Sequence, residues 1–353
     1  TKDIEKNIRL DLARDYDVQG YASQVKFGGK VSRRNKDNDL NAWTYKDFSD
    51  LGFSDEQLSL NAFNKGNLHY NLGQYGPGIS GSAIKDLIGG LNRDDFYNEQ
   101  DSRANDFKMR EDINAAYLMN TVDIDDWRFI AGLRYEGTEF EAKGTGVRDG
   151  VFEDQDTQRD YHHWLPGLHA RYQLDKNTQL RAAWTNAVVR PTFGQLAPGF
   201  VIEDDKAEFG NPNLKPLESS NFDLGIEHFM GQAGTVSAFL FYKDIKNFVY
   251  NNDLAGSGEW VDFTEAHSYA NGDSAKLYGL ELAYSQKFDW LPSPWNGLIL
   301  GANSTFSRSN ASIKGVDAAT GASLKRDIDL PNQSKTVGNL MLGWEDDKLS
   351  LRL

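Results

Sequence analysis

Apolar and polar residues alternate along this chain in segments longer than most globular strands. Tyr21, Ser23, Val25, Phe27, Gly29 and Val31 interleave with Ala22, Gln24, Lys26, Gly28 and Lys30. Trp127, Phe129, Ala131, Leu133 and Tyr135 share one parity, and Arg128, Arg134 and Glu136 take the other. The same pattern places Leu180, Ala182 and Trp184 opposite Gln179, Arg181 and Thr185, and Phe222, Leu224 and Ile226 opposite Asn221, Asp223 and Glu227. Tyr278, Leu280, Leu282 and Tyr284 oppose Glu281 and Ser285. Successive strand residues point to opposite faces, so each segment presents one greasy and one wet surface.

About twelve such segments can be read, near 6–16, 20–32, 108–122, 127–143, 161–174, 178–188, 217–230, 234–249, 276–288, 297–308, 335–345 and 348–353. Most reach ten residues or more, where a globular strand runs about 5–6 and a membrane-spanning strand roughly 9–11. Short links near 17–19, 123–126, 175–177, 231–233, 291–296 and 345–347 alternate with long excursions at 33–107, 144–160, 189–216, 250–275 and 309–334. Tight turns at one end and large loops at the other are the asymmetry of outer-membrane barrels. The pattern therefore predicts an all-β fold, a transmembrane antiparallel β-barrel with long extracellular loops. Trp127, Trp184, Trp290, Trp295 and Trp344 sit at or near segment ends, as interfacial aromatics do; the alternative is packing in a soluble core.

Two loop segments read as short helices. Ser54-Asp55-Glu56-Gln57 is a capping box, and the stretch from Ser82 to Leu87 is followed by a Gly89-Gly90 stop. Composition narrows the reading further. Mean hydropathy is −0.60, and the longest apolar runs, such as Ala238 to Tyr242, are far short of the roughly 20 residues of a membrane helix. The absence of cysteine removes disulfides and thiolate chemistry. A net charge of −14 argues against nucleic acid. TKDIEKNIRL lacks the design of a signal peptide, and Lys348 to Leu353 stops inside an alternating stretch, so residues 1–353 read as a fragment of one barrel domain.

Several strings resemble the barrel of TonB-dependent outer-membrane receptors. They are Val189-Arg190-Pro191-Thr192-Phe193 with Leu196 and Pro198, and Gly210-Asn211-Pro212-Asn213-Leu214-Lys215-Pro216 with Glu218, Asn221, Asp223, Leu224, Gly225 and Glu227. Phe241 to Phe248 and Tyr278-Gly279-Leu280-Glu281 continue the series. The nearest flavour is the proteobacterial carbohydrate-associated branch, from which His228-Phe229 departs. The resemblance implies a barrel of roughly 22 strands, of which about twelve are here. It also implies a plug, first strands and last strands outside this chain. Function would be TonB-coupled uptake, energised through ExbB and ExbD, of a scarce ligand such as an oligosaccharide or a ferric chelate. A passive porin and a soluble glycan-binding β-protein are the rivals.

Within the Gly210 to Pro216 stretch, Gly210 is expected to permit an unusual backbone angle, and Pro212 and Pro216 to hold their predecessors extended, a stiff re-entry from loop to strand. The loop 250–275 is the most suggestive for ligand. It carries Asp253, Glu259, Asp262, Glu265 and Asp273 with Trp260, Phe263 and Tyr269 and no Lys or Arg. Aromatic faces with carboxylates suit a neutral sugar or a cation; the plain alternative is a solvated loop. Trp43 and Tyr45 are similar candidates in the longest loop. His162 and His163 point to opposite faces and do not share a metal. Asp123 to Asp126 and Glu203 to Asp205 lack EF-hand spacing. No string signals an enzyme or calls for a cofactor. Lys26, Lys30, Arg128, Arg134, Arg181, Glu227 and Glu281 are expected to face a polar lumen.

Overall fold

The computed structural model describes residues 1–71, 73–231, 234–316 and 323–353. The wall consists of β1 (Lys2–Val18), β2 (Tyr21–Asn38), β3 (Phe107–Ile124), β4 (Trp127–Arg148), β5 (Val151–Gln173), β6 (Thr178–Val189), β7 (Leu217–Met230), β8 (Gly234–Lys246), β9 (Ser274–Lys287), β10 (Leu298–Val316), β11 (Thr336–Glu345) and β12 (Ser350–Arg352). Each pairs antiparallel with the next, and among the described residues no pairing joins β12 to β1. No helix among the described residues is long and apolar enough to cross a membrane; the crossing elements are strands.

Register connects the two faces across the whole wall. Phe27, Leu118, Leu133 and Pro166 are successive cross-strand partners, as are Ala170, Ala182, Leu224, Leu240, Leu280 and Phe306. These rows lie outward, with Leu118 at 57% and Leu240 at 55% of full exposure. On the other face Arg128, Arg171, Arg181, Gly225, Phe239 and Glu281 form one row. Lys26, Lys30, Arg134 and Glu227 share that inner parity, as the alternation required. A continuous apolar face of this extent is not left to water by a soluble protein.

Aromatic rings border the apolar face at both levels. Near the tight turns, Trp127 stacks on Phe129 at 5.4 Å and meets Tyr172 at 4.6 Å, and Trp344 Nε1 donates to the Pro294 carbonyl at 2.7 Å. At the upper level Tyr135 packs on Trp164 at 4.9 Å, and Trp184, Phe222, Tyr242 and Tyr278 are consecutive partners. Trp184 thus lies in mid-strand rather than near an end, because β6 continues beyond the apolar band. Trp127 and Tyr135 are separated by about 26 Å of strand at ~3.3 Å per residue. With strand tilt this fits the roughly 25 Å band of such walls.

One long excursion is not a loop. β4 and β5 run on as a ribbon to a tight turn at Asp149 (φ 47°) and Gly150 (φ 77°). Positive φ at both central residues matches the right-handed strand twist, so the hairpin at 144–160 breaks the expected alternation of short and long connections. The tight link at 231–233 falls partly outside the described residues, as does the excursion at 309–334.

The capping box forms as expected, with Ser54 Oγ accepting from Gln57 N and Gln57 Oε1 from Ser54 N, at the start of α1 (Asp55–Leu58). The second helix, α2 (Gly81–Gly89), is capped by Ser80 and ends at Gly90. A third, α3 (Glu99–Ala104), had no clear signal in the sequence.

Packing explains one motif glycine on the wall. A Cβ at Gly225 would stand 2.2 Å from the Phe239 ring, which lies across it from β8. Gly225→Val is expected to destabilise the wall by about 1–3 kcal/mol through overpacking, as a lower urea midpoint of the refolded protein. Phe239→Ala in the same background should recover part of the loss.

Candidate functional site

Clusters of buried apolar side chains gather at the long-loop end rather than within the wall. Phe193, Leu196 and Leu214, from the two strings flanking 190–216, close a cluster with Met109, Phe140 and Ala142. Ala142, Gly144 and Gly146 occupy alternate inner positions of β4, a shelf of small residues on which Pro198 and Phe200 rest. The loop therefore folds back into the mouth of the wall.

Arginines fasten it there. Arg190, just beyond β6, donates Nη2 to Glu136 Oε2 and to Thr138 Oγ1, both at 2.8 Å, with Glu111 at 4.0 Å. Arg159 Nη1 donates to the carbonyls of Pro212 (2.6 Å) and Leu214 (2.8 Å). Asn211 Nδ2 donates to Tyr269 O at 2.9 Å, tying this loop to the next. Pro191 and Pro216 are buried. Gly210 does not adopt a positive φ. Its requirement is space, because a Cβ would stand 2.3 Å from the Ala197 carbonyl oxygen; the expected unusual backbone angle is corrected to a close approach. On the wall below, Asn221 Nδ2 donates to Thr185 at 3.4 Å, and Glu227 accepts from Gln179 (2.5 Å) and forms an ion pair with Arg181 (2.7 Å). The contacts of Arg190, Arg159 and Asn211 tie the loop into the mouth, and those of Glu227 join β6 to β7 near the tight turns.

Two short parallel pairings complete the mouth: Phe200–Ile202 on Gly146–Arg148, and Lys206–Glu208 on Glu265–His267. Between them lies a hollow of about 450 Å³ lined by Phe107, Phe200, Glu208, Phe209, His267 and Tyr269, among others. Tyr269 is the one proposed ligand residue that reaches it. Trp260 stacks on Phe209 at 5.1 Å and meets Phe263 at 4.9 Å, within a cluster around Ile202, Ala207 and Ala266, so its ring joins two loops. Glu259 and Asp262 are exposed and do not line the hollow. Trp43 and Tyr45 pack inside their own loop, Trp43 under the Arg93 guanidinium at 3.4 Å and Tyr45 on Phe96 at 4.7 Å. His162 stacks on Tyr135 and His163 meets Tyr161 edge to face, on opposite faces. Sequence reading missed Phe107, Phe200, Phe209 and His267. Only the pairing of two distant loops brings them together.

Asp253 Oδ1 accepts from Ala255 N and Ala266 N, each at 3.1 Å. The Ala255 N–H, then that of Ala266, holds this carboxyl below its ordinary range. A lowered folded value stabilises the loop above the unfolded carboxylate pKa of about 3.9, and that contribution is lost as pH falls through the lowered value. Proteolytic nicking within 250–275 should therefore accelerate in acid. Asp253→Asn should flatten this pH dependence; an unchanged profile would contradict the assignment.

Residues 2–352 match the TonB dependent receptor-like, beta-barrel family, and the chain belongs to it. Its place is the outer membrane of a Gram-negative bacterium, and the family is one of transport receptors. Among solved structures it is similar to the ferric-catecholate import receptor Fiu of E. coli K12, with TM-score 0.61 and 16% identity over 99% of this chain and 43% of that one. The siderophore receptor PiuA of Acinetobacter baumannii gives TM-score 0.57 and 14% identity over 97% and 44%. The copper transporter OprC gives 0.56 and 13% over 98% and 42%. The chain thus spans less than half the length of these proteins. No curated protein matches the sequence.

Proposed function

We propose that this chain forms part of the wall of a receptor that imports a scarce ligand across the outer membrane, driven by TonB with ExbB and ExbD. The observation that carries the reading is the family match along the whole wall. The folded mouth with its hollow supports it. An unclosed sheet leaves two edges that lipid does not tolerate, which supports further strands in the complete receptor.

For the ligand, the hollow offers aromatic faces with Glu208 and His267, and neither Lys nor Arg lines it among the described residues. Such a lining suits a ring-bearing ligand that is neutral or positively charged. Fiu and PiuA are described as receptors for a ferric catecholate and a siderophore, and OprC as a copper transporter. These neighbours favour a metal-bearing ligand, and none of the three is described as a carbohydrate receptor.

The test is uptake of radiolabelled iron chelates and copper by cells carrying the complete receptor, with and without TonB. Uptake of at least one such ligand that disappears without TonB is expected. Equal uptake in both strains would restore the passive channel.

A further inference from the structure

The outward face carries a surplus charge at one point of its upper aromatic level. Trp184, Phe222, Tyr242 and Tyr278 are consecutive partners there, and the next residue in the row, on β10, is Arg308. Arg308 shares their outward parity and is exposed, and its guanidinium has no hydrogen-bond or ion-pair partner among the described residues. A guanidinium at a lipid boundary keeps its charge, so it turns toward water or an anion of the interface. Lys335 stands beside it, since the Ser307 N–H donates to the Lys335 carbonyl at 2.8 Å and Thr336 pairs with Phe306. Lys335 Nζ meets Asp329 at 2.9 Å, a pair of exposed side chains and therefore weakly held. Lys276, one row above, lies opposite Asp244. Toward the bilayer core is a hollow of about 620 Å³, lined by Leu240, Tyr278, Leu280 and Phe306 with Arg308 and Lys335 at its upper edge. This is the long-loop end, which is extracellular in such walls, so the hollow opens to the outer leaflet.

We propose that this is a site for one phosphate-bearing lipid of the outer leaflet. An acyl chain lies along Leu240, Leu280 and Phe306, and the phosphate sits on Arg308 with Lys335 beside it. The guanidinium fork matches phosphate oxygens in two-point geometry, and the phosphate supplies the acceptor that Arg308 lacks within the wall. Apolar side chains attract a lipid tail no more than other tails do, so the chain is held by its fit in the concave surface. Lipid touches the whole outward face; only where the hollow and the surplus cation coincide are chain and headgroup held together.

Native mass spectrometry of the complete receptor, purified in a neutral detergent, tests the site. The probe is dimyristoyl phosphatidic acid, with dimyristoylglycerol as the chain-only control and glycerol phosphate as the phosphate-only control. Retention of one phosphatidic acid per receptor is expected, weakened about tenfold in Arg308→Gln by loss of a charge-assisted hydrogen bond and partly recovered in Arg308→Lys. Leu280→Trp, which fills the hollow and leaves the charge in place, should also release the lipid. Lys143→Gln, on the hairpin where Lys143 faces Asp156, should bind as the wild type does. The proposal is overturned if phosphatidic acid is not retained, if Arg308→Gln or Leu280→Trp binds it as tightly as the wild type, or if Lys143→Gln weakens it as much as Arg308→Gln. It is overturned equally if glycerol phosphate competes as well as the lipid, a site for a free anion, or if dimyristoylglycerol does, a groove indifferent to charge.

Discussion

Leu133→Arg is expected to cost the inserted wall about 2–4 kcal/mol, the penalty for an arginine on the lipid face near the bilayer midplane. Leu133 is 43% exposed, between the lower and upper aromatic levels, with Leu118 and Pro166 beside it. Its neighbour Arg134 points inward to Glu136 at 2.7 Å. Arg134→Leu leaves Glu136 bonded to Arg190, so its cost should be about 1 kcal/mol or less, as for partly exposed ion pairs. Urea titration of both variants refolded into vesicles measures the contrast. Equal costs would mean that the two faces have been assigned wrongly.

The second large effect is expected at the loop latch. Arg190, Glu136 and Glu111 have side chains only 16%, 12% and 10% exposed. Arg190→Ala leaves Glu111 without its nearest cation in a closed space, while Glu136 keeps Arg134 at 2.7 Å, so the cost should be about 3 kcal/mol, the lower end for breaking a largely buried pair. The loss should appear as a lower urea midpoint and as faster proteolysis within 190–216, since the loop loses its tie to β4. Glu111→Gln in the Arg190→Ala background should recover part of the loss, the coupling expected of neighbouring charges. A cost below about 1 kcal/mol would show that the hydrophobic cluster around Leu214 alone holds the loop, because surface-like changes stay near that level.

The wall was legible because its information is local. A strand facing lipid on one side and a wet lumen on the other must alternate, and a slip of one residue would invert every side chain. Leu224 and Asp223 declare their faces without any knowledge of their partners. The mouth is organised otherwise. Trp260 reads as a free aromatic platform until Phe209, from another loop, is found beneath it. The hairpin at 144–160 reads as a loop because β4 and β5 emerge from the bilayer and lose the apolar half of their pattern, while backbone pairing continues from Glu139 with Asp160 to Arg148 with Val151. Gly210 was recognised as special for the wrong reason. A glycine chosen for space and one chosen for φ look alike in a sequence.

The central claim is that lipid tails, rather than a second layer of protein, cover the outward rows. Spin labels placed singly at positions 222, 223, 224, 226 and 227 of the receptor in outer-membrane vesicles test it most directly. Collisions with oxygen, which concentrates in the bilayer, should be high at Phe222, Leu224 and Ile226 and low at Asp223 and Glu227, with the opposite order for a water-soluble nickel chelate. Uniformly low oxygen access at both parities would place protein against Leu224 and contradict the account.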